Sequence, residues 1–259
     1  MKFVDAHVHL SDEEYTECVD EIIVEAKQSN VVALVSNSMD LKSSVDSLKL
    51  AEKYSGLVYA AVGVHPWNVQ AISDEEVEAV VRLAEENKAN KSLAAIGEIG
   101  LDYKYMKVWD KQLKIFDTML RLAEKLDLPV IVHSRGTTAQ IVEMLPSYKV
   151  KRVLLHWFSH PLSVLSKVVE KGYYITEGPP TVYSNGIREV VKKIPLANLL
   201  TETDGPVRYF RKPFEGKRTT PAFIPTVVNA IAEIKQLNEQ AVSVQVIENF
   251  EEFFRVKLN

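Results

Sequence analysis

Cysteine is nearly absent: the 259 residues contain one, Cys18. A lone thiol forms no internal disulfide and builds no cysteine-rich zinc site, so the fold must rest on its apolar core. The expected setting is a reducing, cytoplasmic one. Long apolar runs are also missing. No stretch approaches the ~18 residues of a membrane span, so no membrane role is expected. The opening MKFVDAHVHL carries charge and two histidines, unlike a secretory leader. Glycine (10) and proline (11) are sparse beside 46% apolar residues, which excludes collagen-like, low-complexity and disordered chains. Charge of one sign is scarce as well. The 31 basic and 35 acidic side chains leave −4, too little positive charge to coat duplex nucleic acid over the whole surface, though a local basic groove remains compatible.

What is present is an alternation. Short, β-branched, nearly continuous apolar runs occupy Phe3–Val8, Val31–Ser36, Leu57–Val64, Leu93–Ile99, Val130–His133, Val153–His156, Tyr173–Thr176 and Leu199–Thr203. Such runs suit strands buried on both faces of a parallel sheet. Helical patterns lie between them. Trp109, Leu113, Phe116, Leu120 and Ala123 recur every three or four residues and predict a helix over Trp109–Asp127, stopped before Pro129. A second helix is expected to start at Ser73, with Asp74, Glu75 and Glu76 at its positive end, and a last one over Ala241–Arg255. Eight strands alternating with helices predict an α/β chain, a single (β/α)8 TIM barrel, with residues 1–259 as one domain. An open doubly wound sheet is the competing arrangement.

The histidines are placed unevenly. His7, His9, His65, His133 and His156 stand at or just past strand ends, as do Glu98 and Asp204. On a barrel these ends carry the active site. Residues two apart on a strand share a face, so His7 and His9 aim at one point. Imidazole suits zinc and related ions, and carboxylate suits magnesium or manganese. His133 and His156 end neighbouring strands and are candidates for a second cluster. Glu98 lies between the two clusters in strand order and has two oxygens with which to bridge cations. Asp5, two residues before the pair, is read equally as structural or as a support for it. Trp67 and Trp157 follow site histidines; Trp157 is expected in the core, while Trp67 is balanced between core and a base-stacking role. His160, before a proline, is expected to cap a helix or lie on the surface. Cys18 has no histidine partner to make it a nucleophile.

Together these blocks resemble one family, the TatD-type metal-dependent deoxyribonucleases of the amidohydrolase superfamily. They are Asp5-Ala6-His7-Val8-His9-Leu10, Gly63-Val64-His65-Pro66, Gly97-Glu98-Ile99-Gly100-Leu101-Asp102-Tyr103, Leu128-Pro129-Val130-Ile131-Val132-His133-Ser134-Arg135, His156-Trp157-Phe158-Ser159 and Glu202-Thr203-Asp204-Gly205-Pro206. The resemblance implies two divalent ions (Mg2+, Mn2+ or Zn2+), one held by His7, His9, Glu98 and Asp204, the other by Glu98, His133 and His156. It places His65 on the substrate side. The chain departs from the family pattern at Trp157-Phe158-Ser159-His160, at Gly136-Thr137 and at Tyr174-Ile175-Thr176-Glu177-Gly178-Pro179-Pro180.

The expected activity is metal-assisted cleavage of phosphodiester bonds at single-stranded DNA ends. Asp204, Glu98 and His65 are the catalytic candidates: Asp204 to orient water and take its proton, His65 to donate one. Between Val207 and Thr220, five basic residues face one acid, with Tyr209, Phe210 and Phe214 interleaved. Loops after strands seven and eight of barrels often bind phosphate, so Arg208, Arg211, Lys217 and Arg218 are expected to contact substrate. DNA is the expected partner, and no obligate protein partner is evident. The alternatives are a small ester or amide hydrolase, or an aminoacyl-tRNA deacylase, using the same centre, and a catalytically inactive nucleic-acid-binding barrel. No GxSxG, P-loop or Rossmann glycine motif competes.

Overall fold

The structure is a computed structural model that describes residues 1–159 and 162–258; His160 lies outside the described residues. The eight strands are β1 (Phe3–Val8), β2 (Val31–Ser36), β3 (Val58–Val62), β4 (Leu93–Gly100), β5 (Val130–His133), β6 (Val153–Leu155), β7 (Tyr174–Glu177) and β8 (Leu199–Thr201). They form one sheet in sequence order. The helices are α1 (Val19–Gln28), α2 (Leu41–Lys53), α3 (Asp74–Glu86), α4 (Trp109–Leu126), α5 (Thr138–Met144), α6 (Leu162–Glu170), α7 (Asn185–Lys193), α8 (Ile224–Lys235) and α9 (Glu239–Phe254). The last strand returns to the first. Thr201 Oγ1 donates to the Val4 carbonyl, and the Asp204 amide donates to the His7 carbonyl at 2.9 Å. The arrangement is a (β/α)8 TIM barrel, not an open sheet. Among the described residues no helix is long and apolar enough to cross a membrane.

The chain divides into two compact units, Met1–Val35 with His156–Asn259, and Ser36–Leu155. In the second, all eight residues of β4 are buried, which accounts for its unbroken apolar run. β4 and β5 run parallel with Gly100 opposite His133. Gly100 has φ +150°, and a Cβ there would strike the His133 carbonyl, so the two backbones touch. Gly97 and Gly63 are similarly tight: a Cβ on Gly97 would lie 2.8 Å from Ile131, and one on Gly63 would lie 2.9 Å from Gly97. Ser73 caps α3 as expected, accepting from the Glu76 amide at 3.2 Å.

The face of α4 differs from the sequence expectation. Its buried residues are Gln112, Ile115, Phe116, Met119, Leu120, Leu122 and Ala123, with Trp109 and Leu113 only half-buried. The rotation has a physical cause. The Gln112 amide is needed inside, where Oε1 accepts from the Asp102 amide (2.8 Å) and Nε2 donates to the carbonyls of Asp102 (3.2 Å) and Tyr105 (2.9 Å). Asp127, the left-handed residue ending α4, takes φ +52°. In the first unit α9 begins at Glu239, two residues earlier than expected, because Asn238 caps it.

Candidate metal centre

In the first unit, β1 delivers His7 and His9 to one point, their Nε2 atoms 3.2 Å apart. Asp204 Oδ1 lies 3.4 Å from the one and 3.6 Å from the other. Donors bonded at 2.0–2.1 Å around a tetrahedral ion sit about 3.3 Å from each other, so this triad has the spacing of ligands. Asp204 has φ +50°, a left-handed conformation that aspartate tolerates better than most residues. Burial would raise its pKa, but hydrogen bonds from His7 and His9 and the charge of neighbouring imidazoles win, so the carboxylate is held well below its ordinary range. His156 stacks on His7, ring centroids 4.0 Å apart and planes within 7°. Its Nδ1 lies 3.5 Å from Glu202 Oε2, which also accepts from the Thr176 hydroxyl.

Beneath the triad lies Asp5. Its Oδ1 accepts from the amides of His7 (3.2 Å) and Thr203 (3.1 Å), and Oδ2 accepts from the Thr203 hydroxyl. Asp5 thus pins the ligand end of β1 to the segment entering Asp204. Burial pushes its pKa up to about 8, against those hydrogen bonds.

In the second unit, Glu98 of β4 meets His133 at the end of β5 and His65 beyond β3. Glu98 Oε1 lies 3.0 Å from His65 Nε2 and 3.0 Å from His133 Nδ1, and the two nitrogens are 3.2 Å apart. The spacing again suits ligands. The remaining nitrogens distinguish the two rings. His133 Nε2 faces Asp102 Oδ2 at 3.0 Å. Asp102 is held down at about 2: burial opposes this, but donors from His133, Trp67 and the Lys104 amide prevail. An ionised carboxylate only accepts, so in the neutral ring whose Nε2 proton faces Asp102, Nδ1 beside Glu98 keeps a lone pair for a cation. His65 is the reverse. Its Nδ1 accepts from the Trp67 amide (3.1 Å), so in the neutral ring the proton sits on Nε2 and points at Glu98. His133 is thereby prepared as a ligand and His65 as a donor.

These donor sets fit divalent cations: imidazole and carboxylate atoms converge, and a carboxylate fixes the tautomer of a ligand histidine. His7, His9 and Asp204 converge as expected, as do Glu98 and His133, with His65 beside them. Asp102 and Glu202 escaped the sequence reading. Glu202 had a signal, since it stands two residues before Asp204; Asp102 stood in the Gly97–Tyr103 block with no role assigned to it.

The basic segment after β8 is arranged differently from what its composition suggested. Arg208 pairs with Glu14 at 2.6 Å, and Arg218 reaches Glu21 (3.5 Å) and Glu25 (3.8 Å). Arg211 lies over the Tyr183 ring at 5.9 Å. Tyr209 and Phe214 are buried, while Phe210 is 81% exposed. Trp157, expected in the core, is half-buried and tilted against Tyr209. Trp67 is 40% exposed and tied down by its indole: Nε1 donates to Asp102 Oδ2 at 2.7 Å.

The family model described as TatD related DNase matches residues 4–255. The chain is 31% identical over 261 residues to the uncharacterized metal-dependent hydrolase YabD of Bacillus subtilis (strain 168), covering 97% of this chain and 98% of that protein. It is 31% identical over 250 residues to human deoxyribonuclease TATDN3, covering 92% and 89%. The crystal structure of YjjV, a TatD homologue from Escherichia coli K12, superimposes with TM-score 0.91 at 29% identity over 98% of both chains. A phosphotriesterase homology protein from Escherichia coli, at 16% identity and TM-score 0.70, shares the fold alone. With its ligand-spaced histidines and carboxylates at the strand ends, the chain belongs to the TatD-related DNase family and is a metal-dependent hydrolase.

Proposed function

We propose that this hydrolase cleaves phosphodiester bonds at single-stranded DNA ends, using two divalent cations. His7, His9, Asp204 and Glu98 would hold one, and Glu98, His133 and His156 the other. Glu98 is the proposed bridge because a carboxylate offers two oxygens and Oε1 already stands beside His133. When bound, the cations supply Lewis acidity, polarising the ester and making a water more acidic. The protein's own groups do the rest. Asp204, ionised and buried, orients the attacking water and takes its proton. His65 offers the proton on Nε2 to a phosphate oxygen or to the leaving oxygen. Asp102 keeps His133 in its ligand tautomer, and Glu202 orients His156.

One observation carries the reading: the His65–Glu98–His133 group sorts its two imidazoles into a lone-pair holder and a proton donor, which hydrolysis needs and a purely structural cluster does not. The nucleic-acid half rests on the family and on relatives such as TATDN3, named a deoxyribonuclease. Arg211 and Lys217 are the proposed phosphate contacts of the segment after β8, with Arg208 and Arg218 bracing it through their acids. A cytoplasmic setting suits a chain with one cysteine.

The test is turnover of end-labelled single-stranded DNA after reconstitution with each divalent ion in turn, beside duplex DNA, aminoacyl-RNA and small ester and amide panels. Ion-dependent shortening of the single strand supports the proposal. Robust turnover of an aminoacyl-RNA or a small ester, with the DNA intact, would replace it.

A further inference from the structure

Past the end of β4, after Leu101 and Asp102, the chain reads Tyr103-Lys104-Tyr105-Met106-Lys107-Val108-Trp109, three aromatics and two lysines without an acid. The segment is fastened from below by Gln112, which holds both Asp102 and the Tyr105 carbonyl. Above it stands Trp67. The Trp67 and Tyr105 ring centroids are 6.2 Å apart, and Lys104 Nζ lies over both, 5.8 Å from the first and 5.6 Å from the second. On its other side Trp67 meets His65 edge-on at 5.0 Å and His133 at 6.0 Å. Trp67 is 40% exposed and Tyr105 is half-buried, so neither ring is enclosed. Large rings serving only as core would not be left so accessible. The indole is nevertheless fixed by its bond to Asp102, and the backbone that carries Tyr105 by its bond from Gln112.

We infer that Trp67, Tyr105 and Lys104 form a subsite for the unpaired nucleotide next to the scissile bond, the rings stacking on its base and the ammonium meeting its phosphate; this rests on the phosphodiesterase reading above. Aromatic faces stack on any base, which gives grip without sequence preference. A base already stacked and paired in a duplex cannot offer its face, so the subsite selects frayed or single-stranded ends. Lys104 matches an anionic strand and no acid in the segment opposes it. Because the rings are held in place beforehand, little ordering is lost on binding.

The test uses the full-length, metal-loaded protein and two end-labelled single strands, one with ordinary bases and one abasic at the residues nearest the cleaved end. The wild type should show a KM at least about 5-fold higher for the abasic strand, the scale of one lost stacking contact. Tyr105→Ala should raise KM for the base-bearing strand by a similar factor, leave kcat within two-fold, and leave the abasic strand unaffected. Tyr105→Phe, which keeps the ring, should behave as wild type and shows that the position tolerates substitution. Equal KM for both strands in the wild type, or an equal rise for both in Tyr105→Ala, would overturn the subsite. If no ion supports cleavage of either strand, the phosphodiesterase reading falls and equilibrium binding of the same strands decides the subsite. A base preference that Tyr105→Ala abolishes upholds it; equal affinity for the two strands refutes it.

Discussion

Two segments of this chain look alike in composition and are put to opposite use. Val207–Thr220 and Tyr103–Trp109 both follow barrel strands, and both mix aromatics with cations. In the first, two arginines are engaged by Glu14, Glu21 and Glu25, and two of three aromatics are buried. In the second, the Lys104 ammonium lies over the rings of Trp67 and Tyr105, and Tyr103 stays open. A count of charges therefore does not measure what a partner can reach. What matters is whether the cation already has a carboxylate and the ring already has a core.

The comparison has force only if both segments serve the same hydrolytic centre, and the largest expected effect tests that. Chelation should abolish turnover, and Glu98→Gln should lower it beyond the ~100-fold that partners of ligands alone can cost. Wild-type turnover by Glu98→Gln at unchanged metal content, by elemental analysis, would remove the centre from the argument.

Next in size is Asp102→Asn, at the root of the open segment. An amide can present N–H to His133 Nε2 and favour the wrong tautomer, so metal affinity or kcat should fall about 10- to 100-fold. Arg208→Ala, which breaks the Glu14 pair, should move kcat less than two-fold, as exposed pairs contribute about 0–1 kcal/mol. Equal effects from the two substitutions would erase the distinction between the segments.

A smaller effect is expected from Lys217→Ala: about a two-fold rise in KM for single-stranded DNA, with the salt slope of binding flattened by about 0.7, one phosphate contact. Arg218→Ala, already engaged by acids, should change the slope less. A ten-fold KM effect from Arg218→Ala would reverse the ranking of the two segments.

The smallest effect concerns a carboxylate with the opposite circumstances to Asp102. Glu177 is fully buried, neither oxygen has a hydrogen-bond partner among the described residues, and burial together with the Glu202 charge raises its pKa well above 4.5. Its neutral form is favoured inside the fold, while in the unfolded chain it ionises above pH 4.5. Stability is therefore full below that value and is lost as pH climbs toward the folded pKa. Glu177→Gln should leave Tm unchanged at pH 4 and raise it by about 2–4 °C at pH 8, the worth of ~1 kcal/mol in a chain of this size. A pH-independent shift in calorimetry would show that the acid is not neutral in the fold.

The sequence revealed most where one residue type does one job. Strands buried on both faces are largely apolar, so all eight runs could be found, though β3, β6 and β8 end at Val62, Leu155 and Thr201, short of the ends read from the sequence. His7 and His9 were legible through the period of two. Long-range pairing left no such trace. Arg208 and Glu14 are 194 residues apart, and nothing local announces their bond. Asp102 was hidden because its role depends on an indole from another loop, and the orientation of His65 depends on a backbone amide. The stripe of α4 was misread for a related reason: periodicity weighs Gln112 as polar, whereas the fold needs its amide inside.

The backbone contact at Gly100 governs how such a chain can diverge. Where β4 and β5 touch, not even a methyl group can be added without separating the strand that carries Glu98 from the one that carries His133. Gly63 and Gly97 extend the same prohibition across β4 toward the end of β3. Substitutions there are barred by geometry, whatever substrate is at stake, while Tyr103–Trp109 and Val207–Thr220 can change freely at their surfaces. Descendants of this chain can therefore exchange one ester for another by altering loops while the hydrolytic centre is inherited unchanged.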